Sequence, residues 1–139
     1  MKKSGILNAE LADTVARLGH NELIVVSDAG LPVPAHVRRV DLAVTPGVPL
    51  VETVLSLLGT EIVAERILIT KEMLEHSPHV AEAVADAFAG IPVQAIEHRE
   101  LLELLPKCKA VIRTGEFSPY ANVVIDCGVT YGVKYYFTP

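Results

Sequence analysis

Six side chains in this sequence combine a type suited to proton transfer or hydroxyl binding with a position where ordered structure starts or stops. His20 closes the run RLGH, Asp28 opens DAGLPVP, His98 follows a short apolar segment, and the loop GEFSPYAN carries Glu116, Tyr120 and Asn122. An imidazole titrating near neutrality can give and take protons at working pH. A carboxylate accepts hydrogen bonds, an amide both gives and accepts them, and a phenol offers a ring face as well as a hydroxyl. Each residue also has a plainer use. His20 can simply cap a helix, and Asp28 can bond to its own backbone in a turn. His98 can be a solvated helix start, and Tyr120 and Asn122 can belong to the turn after Pro119. Glu116 suits a hydrogen bond within its own loop better than a second catalytic carboxylate. His36, His76 and His79 flank proline-containing loops or an exposed helix start and read as surface residues. A metal held by His20, Asp28 and His98 would lack any local ligand spacing such as HxH, and no metal is expected.

The element that positions the first two residues runs over 17–34, RLGHNELIVVSDAGLPVP. Leu23 to Val26 is short, apolar and largely β-branched, which predicts a strand buried on both faces. His20 stands before it and Asp28 after it; Gly30, Pro32 and Pro34 end it. Upstream, Leu7, Leu11, Val15 and Leu18 recur at helical spacing, predicting a helix over 8–18 with Asn8 as N-cap and Gly19 as C-cap.

Downstream, the alternation of Val40, Leu42 and Val44 with Arg39, Asp41 and Ala43 predicts a half-exposed strand over 37–44. A helix over 50–58 follows, with Gly59 near its end, then a buried strand at 66–70. Ser77-Pro78 reads as N-cap and first residue of a helix reaching 88–90. A strand at 93–96, a helix over 98–105, a strand at 109–113 and a last core strand at 123–129 complete the alternation. The class is therefore α/β: a single three-layer α/β/α domain over 1–139 with a mixed, mainly parallel sheet, because some connections are too short for a right-handed crossover. The aromatic stretch within 130–139 is a possible C-terminal extension, and Tyr135, Tyr136 and Phe137 would be a liability if exposed, which favours oligomerisation or packing on the same domain.

Composition narrows the function. The 139 residues are half apolar and carry a net charge of −5, with no basic stripe interleaved with aromatics, so nucleic-acid binding is not expected. Charged residues, proline or glycine interrupt every apolar run well short of the roughly 18 residues a span needs, and no signal-like segment opens the chain. A cytoplasmic protein with no membrane insertion is the expectation, its two cysteines, Cys108 and Cys127, reduced and buried. GxGxxG, Walker A, HExxH and GxSxG patterns are missing, which weighs against a dinucleotide cofactor, the common ATP site, zincin chemistry and a serine-hydrolase elbow.

Taken together, MKKSGILN, RLGH, DAGLPVP, VDLAVTPGVP, KAVIRTGEFSPYAN and the late CGV resemble the ribose pyranase and fucose mutarotase family nearly throughout residues 1–129. That resemblance implies interconversion of pyranose and furanose forms of a free sugar, D-ribose, without cofactor. It implies His20 as the proton donor and Asp28, His98, Tyr120, Ala121 and Asn122 as sugar-binding positions, Ala121 only through backbone or packing. It also implies a cytoplasmic homo-oligomer, a decamer of two pentameric rings, with sites where subunits meet. The alternatives are a sugar-binding accessory protein of a transport system without turnover, a mutarotase for another sugar such as L-fucose, and a metal-dependent hydrolase or isomerase.

Overall fold

The computed structural model describes residues 1–131; Tyr135, Tyr136 and Phe137 of the expected extension lie outside the described residues. The elements follow as α1 (Ala9–Ala16), β1 (Leu23–Ser27), β2 (Arg38–Asp41), α2 (Val51–Glu61), β3 (Ala64–Thr70), α3 (Lys71–His76), α4 (Pro78–Ala87), β4 (Val93–Ile96), α5 (His98–Leu104), a 3₁₀ turn (Leu105–Lys107), β5 (Ala110–Arg113) and β6 (Val123–Cys127). The six strands form one sheet in the order β2-β5-β1-β6-β3-β4. β1 runs parallel to β5, β5 to β2 and β3 to β4, whereas β6 lies antiparallel between β1 and β3. The mixed, mainly parallel sheet is thus as expected. β6 reverses because the loop after β5 carries no crossover helix and must pass over the end of β1 to reach its place.

Alternation along β1 divides the core. Ile24 and Val26 pack with Val54, Leu55 and Leu58 of α2, Val80 and Val84 of α4, and Leu11 of α1. Val25 faces the other way, among Val111, Val124, Leu68 and Leu101, Leu105 and Leu31. Both sheet faces are covered, so the chain forms three layers, and β1 is buried almost throughout. At ~25 cal/mol per Å² such two-sided burial is what fixes register, because a one-residue slip would exchange the two faces.

Several boundaries differ from the periodicity. The Asn8 side chain does cap α1, accepting from the Leu11 N–H at 2.9 Å, but the helix ends at Ala16 with Arg17 as C-cap, and the left-handed residue is Asn21 (φ 63°) rather than Gly19. Asparagine tolerates that conformation better than most residues. Strand β2 stops at Asp41, and Val44 is 79% exposed instead of inward-facing. The cause is a tight reversal in which the Val44 N–H donates to Val48 O. Helix α2 continues through Gly59, where a Cβ would lie 2.3 Å from the Ala87 carbonyl oxygen, so the glycine lets α2 and α4 close on each other. The six-residue α3, capped by Thr70, is too short to show a helical period. Pro78 begins α4 as expected, but the Ser77 hydroxyl donates to Pro119 O at 2.6 Å instead of capping it. β3 starts two residues earlier than its apolar run, and β6 ends at Cys127.

Candidate functional site

The carboxyl ends of the parallel strands β1, β5, β3 and β4 point to one edge of the sheet, and β6 begins there. In open α/β sheets this edge is where ligands ordinarily bind. Asp28 emerges from β1 and its carboxylate closes a turn, accepting from the Gly30 N–H through Oδ1 at 3.0 Å. The loop that crosses β1 brings Asn122 against it. The Asp28 N–H donates to Asn122 Oδ1 (3.0 Å), and Asn122 Nδ2 donates to Asp28 Oδ2 (3.1 Å). One amide therefore satisfies both the backbone and the acid. The turn uses one carboxylate oxygen of Asp28, and Asn122 bonds to the other.

Tyr120 precedes this pair with φ 58°, a left-handed conformation unusual for an aromatic residue. Backbone held this way recurs at ligand sites. Its ring lies edge-on to His98 at 5.1 Å and tilted against His76 at 5.4 Å. His98 opens α5, where Glu97 and Glu100 form a reciprocal capping box, and its N–H donates to Glu72 Oε2 at 2.6 Å. The His98 Nδ1 is buried and has no partner among the described residues. Asp28, Gly30, Leu31, Pro32, His98, Pro119, Tyr120 and Asn122 line an open hollow of about 340 Å³. That is the small end of the range for small-molecule sites. Four of the expected binding residues thus meet. Ala121 is fully buried in the helix-side core, so its side chain packs there and does not line the hollow.

Glu116 is 6% exposed and braces the loop. Its carboxylate accepts from the N–H groups of Val51 and Ser118, both at 3.2 Å, and its carbonyl accepts from the Ala29 N–H at 2.9 Å. The first of these bonds also satisfies a donor at the start of α2, which has no side-chain cap of its own. Beneath the site, Thr114 Oγ1 donates to Ser27 O (2.7 Å) and Arg113 Nε donates to Ala29 O (3.0 Å). Sequence reasoning missed His76, Ser77 and Arg113. His76 sits on the short α3, and only the fold reveals that α3 flanks Tyr120. Ser77 looked like an ordinary cap.

His20 stands elsewhere. The Asn21 N–H donates to Cys127 O, at the far end of β6 from Asn122, and His20 Nε2 meets Glu65 Oε1 at the start of β3. Strand β1 alone, at about 3.3 Å per residue, puts roughly 16 Å between this end and Asp28. The turn bearing His20 is firmly tied. Glu22 Oε2 accepts from the Gly19 N–H at 2.9 Å, and that bond, with the Lys109 ammonium beside it, holds the Glu22 carboxyl below its ordinary 4.5. A metal shared by His20, Asp28 and His98 does not fit the separation of these residues in the chain, and no cluster of three or more potential metal-ligating side chains occurs among the described residues. No helix among the described residues is long and apolar enough to cross a membrane.

Residues 1–130 match the RbsD / FucU transport protein family. The chain is 45% identical over 134 residues to the D-ribose pyranase of Variovorax paradoxus and 41% identical over 131 residues to that of Symbiobacterium thermophilum. Each alignment covers 94% of this chain and all of the relative. Among solved structures, Bacillus subtilis RbsD complexed with D-ribose superposes with a TM-score of 0.89 at 40% identity, over 94% of this chain and 100% of the other. A Streptococcus pneumoniae fucose mutarotase solved with L-fucose shares the fold, with a TM-score of 0.76 at 20% identity over 89% of this chain and 94% of the other.

Proposed function

The chain belongs to the RbsD / FucU transport protein family, and from that premise we propose that it is a D-ribose pyranase, an isomerase that interconverts the six- and five-membered rings of free D-ribose. The observation that carries this reading is the hollow in which Asp28, His98, Tyr120 and Asn122 converge, in a fold matched closely by a relative solved with D-ribose.

Ring opening passes the proton of the anomeric hydroxyl to water and breaks the bond between C1 and the ring oxygen, which takes a proton from the general acid. The resulting aldehyde turns about its C1–C2 bond. A different hydroxyl then attacks C1 and loses its proton while O1 regains one, so no proton is gained or lost overall. An imidazole suits both halves of this exchange. His20 is the general acid of this scheme. Asp28, oriented by Asn122, accepts from a sugar hydroxyl, and Tyr120 and His98 close over the ring. No cofactor takes part.

Because His20 and Asp28 leave opposite ends of β1, this chemistry needs His20 of one subunit to reach the hollow of another. The protein is accordingly a homo-oligomer with composite sites, read as a decamer of two pentameric rings, and works in the cytoplasm on sugar delivered to it. Saturation-transfer NMR on D-ribose tests the reading. His20→Ala should slow catalysed exchange between ribopyranose and ribofuranose by about 10²–10⁴-fold, the usual worth of general acid–base help. Asp28→Ala should impair it as well. Mixing the two variants under subunit exchange should restore part of the rate, since some mixed sites then hold both native residues. Wild-type protein that binds ribose without accelerating exchange is instead a non-catalytic sugar-binding protein.

A further inference from the structure

His20 Nε2 lies 2.5 Å from Glu65 Oε1, and both side chains are roughly half exposed, at 47% and 46%. An exposed pair of this kind contributes little to stability, yet three features of the backbone converge to make it. The pairing of β3 with β6 shifts register between Ala64 and Arg66, so Glu65 is the extra residue of a bulge. Bulges re-aim a side chain out of the regular alternation. Gly128, bonded through its N–H to Val63 O, lies beside it; a Cβ there would fall 2.9 Å from Glu65 Cγ and 3.2 Å from Val63 Cγ1, so glycine leaves the room the Glu65 stem uses. On the other side, Asn21 in its left-handed conformation and the Glu22 bond to Gly19 pin the turn that carries the imidazole.

We propose that Glu65 is a positioning residue for His20, accepting the Nε2–H so that Nδ1 is the nitrogen that exchanges a proton with the sugar. This rests on the reading of His20 as general acid. In the protonated ring, Nε2–H stays on Glu65 while Nδ1–H passes to the ring oxygen. The neutral ring left behind is the Nε2–H tautomer, and its free Nδ1 lone pair takes a proton back at ring closure. Without Glu65 the ring can rotate and either nitrogen can hold the proton.

The test uses intact oligomer with ¹⁵N-labelled histidine, the His20 signals being assigned by their loss in His20→Ala. Two-bond ¹H–¹⁵N spectra should show the Nε2–H form for neutral His20 in the wild type and a mixture of tautomers in Glu65→Ala. Exchange at saturating ribose should fall about 10–100-fold in Glu65→Ala, the range found when the carboxylate partner of a metal-bound imidazole is removed, with ribose affinity held within about twofold. Glu65→Gln retains an acceptor oxygen at the same reach and should recover the tautomer and part of the rate. A dominant Nδ1–H form in the wild type overturns the proposal, as does a Glu65→Ala protein with unchanged tautomer and rate while His20→Ala is inactive. A His20→Ala protein that retains full exchange overturns the general-acid reading itself, and the role of Glu65 with it.

Discussion

Replacing Asn122 by alanine tests whether one buried amide holds the Asp28 carboxylate in place. Asn122 is 1% exposed, so its loss is not repaired by simple solvation. The variant forfeits the bond from the Asp28 N–H and the bond from Nδ2 to the Asp28 carboxylate. A neutral bond is worth about 1 kcal/mol net and one to a charged group about 1.5–3 kcal/mol. The sum is about 2.5–4 kcal/mol, and water reaching the half-buried Asp28 carboxylate should return part of the second term, leaving about 2 kcal/mol. At a urea dependence of about 2 kcal/mol per molar, that lowers the unfolding midpoint by about 1 M, measured at fixed protein concentration because the proposed assembly would also stabilise the fold.

Asn122→Asp sharpens the experiment. It keeps the acceptor for the Asp28 N–H but replaces the donor with a second carboxylate oxygen at a site 3.1 Å from the first. Two like charges at that range repel, so this near-isosteric variant should bind ribose at least as poorly as the alanine variant, by calorimetry. An alanine variant whose midpoint moves by less than about 0.2 M, equivalent to under about 0.5 kcal/mol, and whose ribose affinity is unchanged would falsify the claim that Asn122 orients Asp28.

Two further outcomes follow from groups outside the hollow. Glu22 titrates below its ordinary value because the Gly19 N–H bonds to it and Lys109 lies near. The unfolded chain therefore takes up the proton first as pH falls, and the stabilisation present above about pH 4.5 drains away as pH drops through the depressed folded value. The urea midpoints of wild type and Glu22→Gln should differ at about pH 6 and converge towards about pH 3; a gap that stays constant refutes this. Burial pushes the thiols of Cys108 and Cys127 up to about 11, the latter helped by the nearby carboxylates of Asp126 and Glu22. Both should resist a thiol-specific disulfide reagent at neutral pH and react fully once urea unfolds the chain. Rapid labelling of either in the native protein contradicts the burial that sets its pKa.

How much of this could be read without coordinates depends on whether the signal was local. The run from Leu23 to Val26, the Asn8 cap and the Pro78 helix start declare themselves within a few residues, and each stands in the structure where the sequence puts it. Asp28, His98, Tyr120 and Asn122 stand out by type and by lying near element ends; Asp28 and His98 follow parallel strands that end at one edge, and Tyr120 and Asn122 join them because the antiparallel β6 begins there. What stayed hidden was relational. Gly59 looks like a helix stop until Ala87 is seen against it. Val44 looks inward-facing until the reversal at Val48 turns it out. Glu65 is an unremarked acid in a strand until the bulge and Gly128 aim it at a residue 45 positions away.

The antiparallel strand sets how one chain can hold the two halves of the proposed composite site without a common cavity. β6 starts beside Asn122, which holds Asp28, and ends beside Cys127 and Gly128, which fix the turn of His20 and leave space for Glu65. Its five residues are all buried, and Val124, Ile125 and Asp126 pair on both sides, to β1 and to β3. A strand so enclosed has one permitted register, because a slip by one residue would drive every side chain into the wrong layer. The same apolar packing that stabilises the sheet therefore sets the separation of the acid from the imidazole, with no contact between them. On the proposed reading, two rigid half-sites at a fixed spacing are what a symmetric assembly would join repeatedly, each subunit offering its imidazole to one neighbour and its hollow to another.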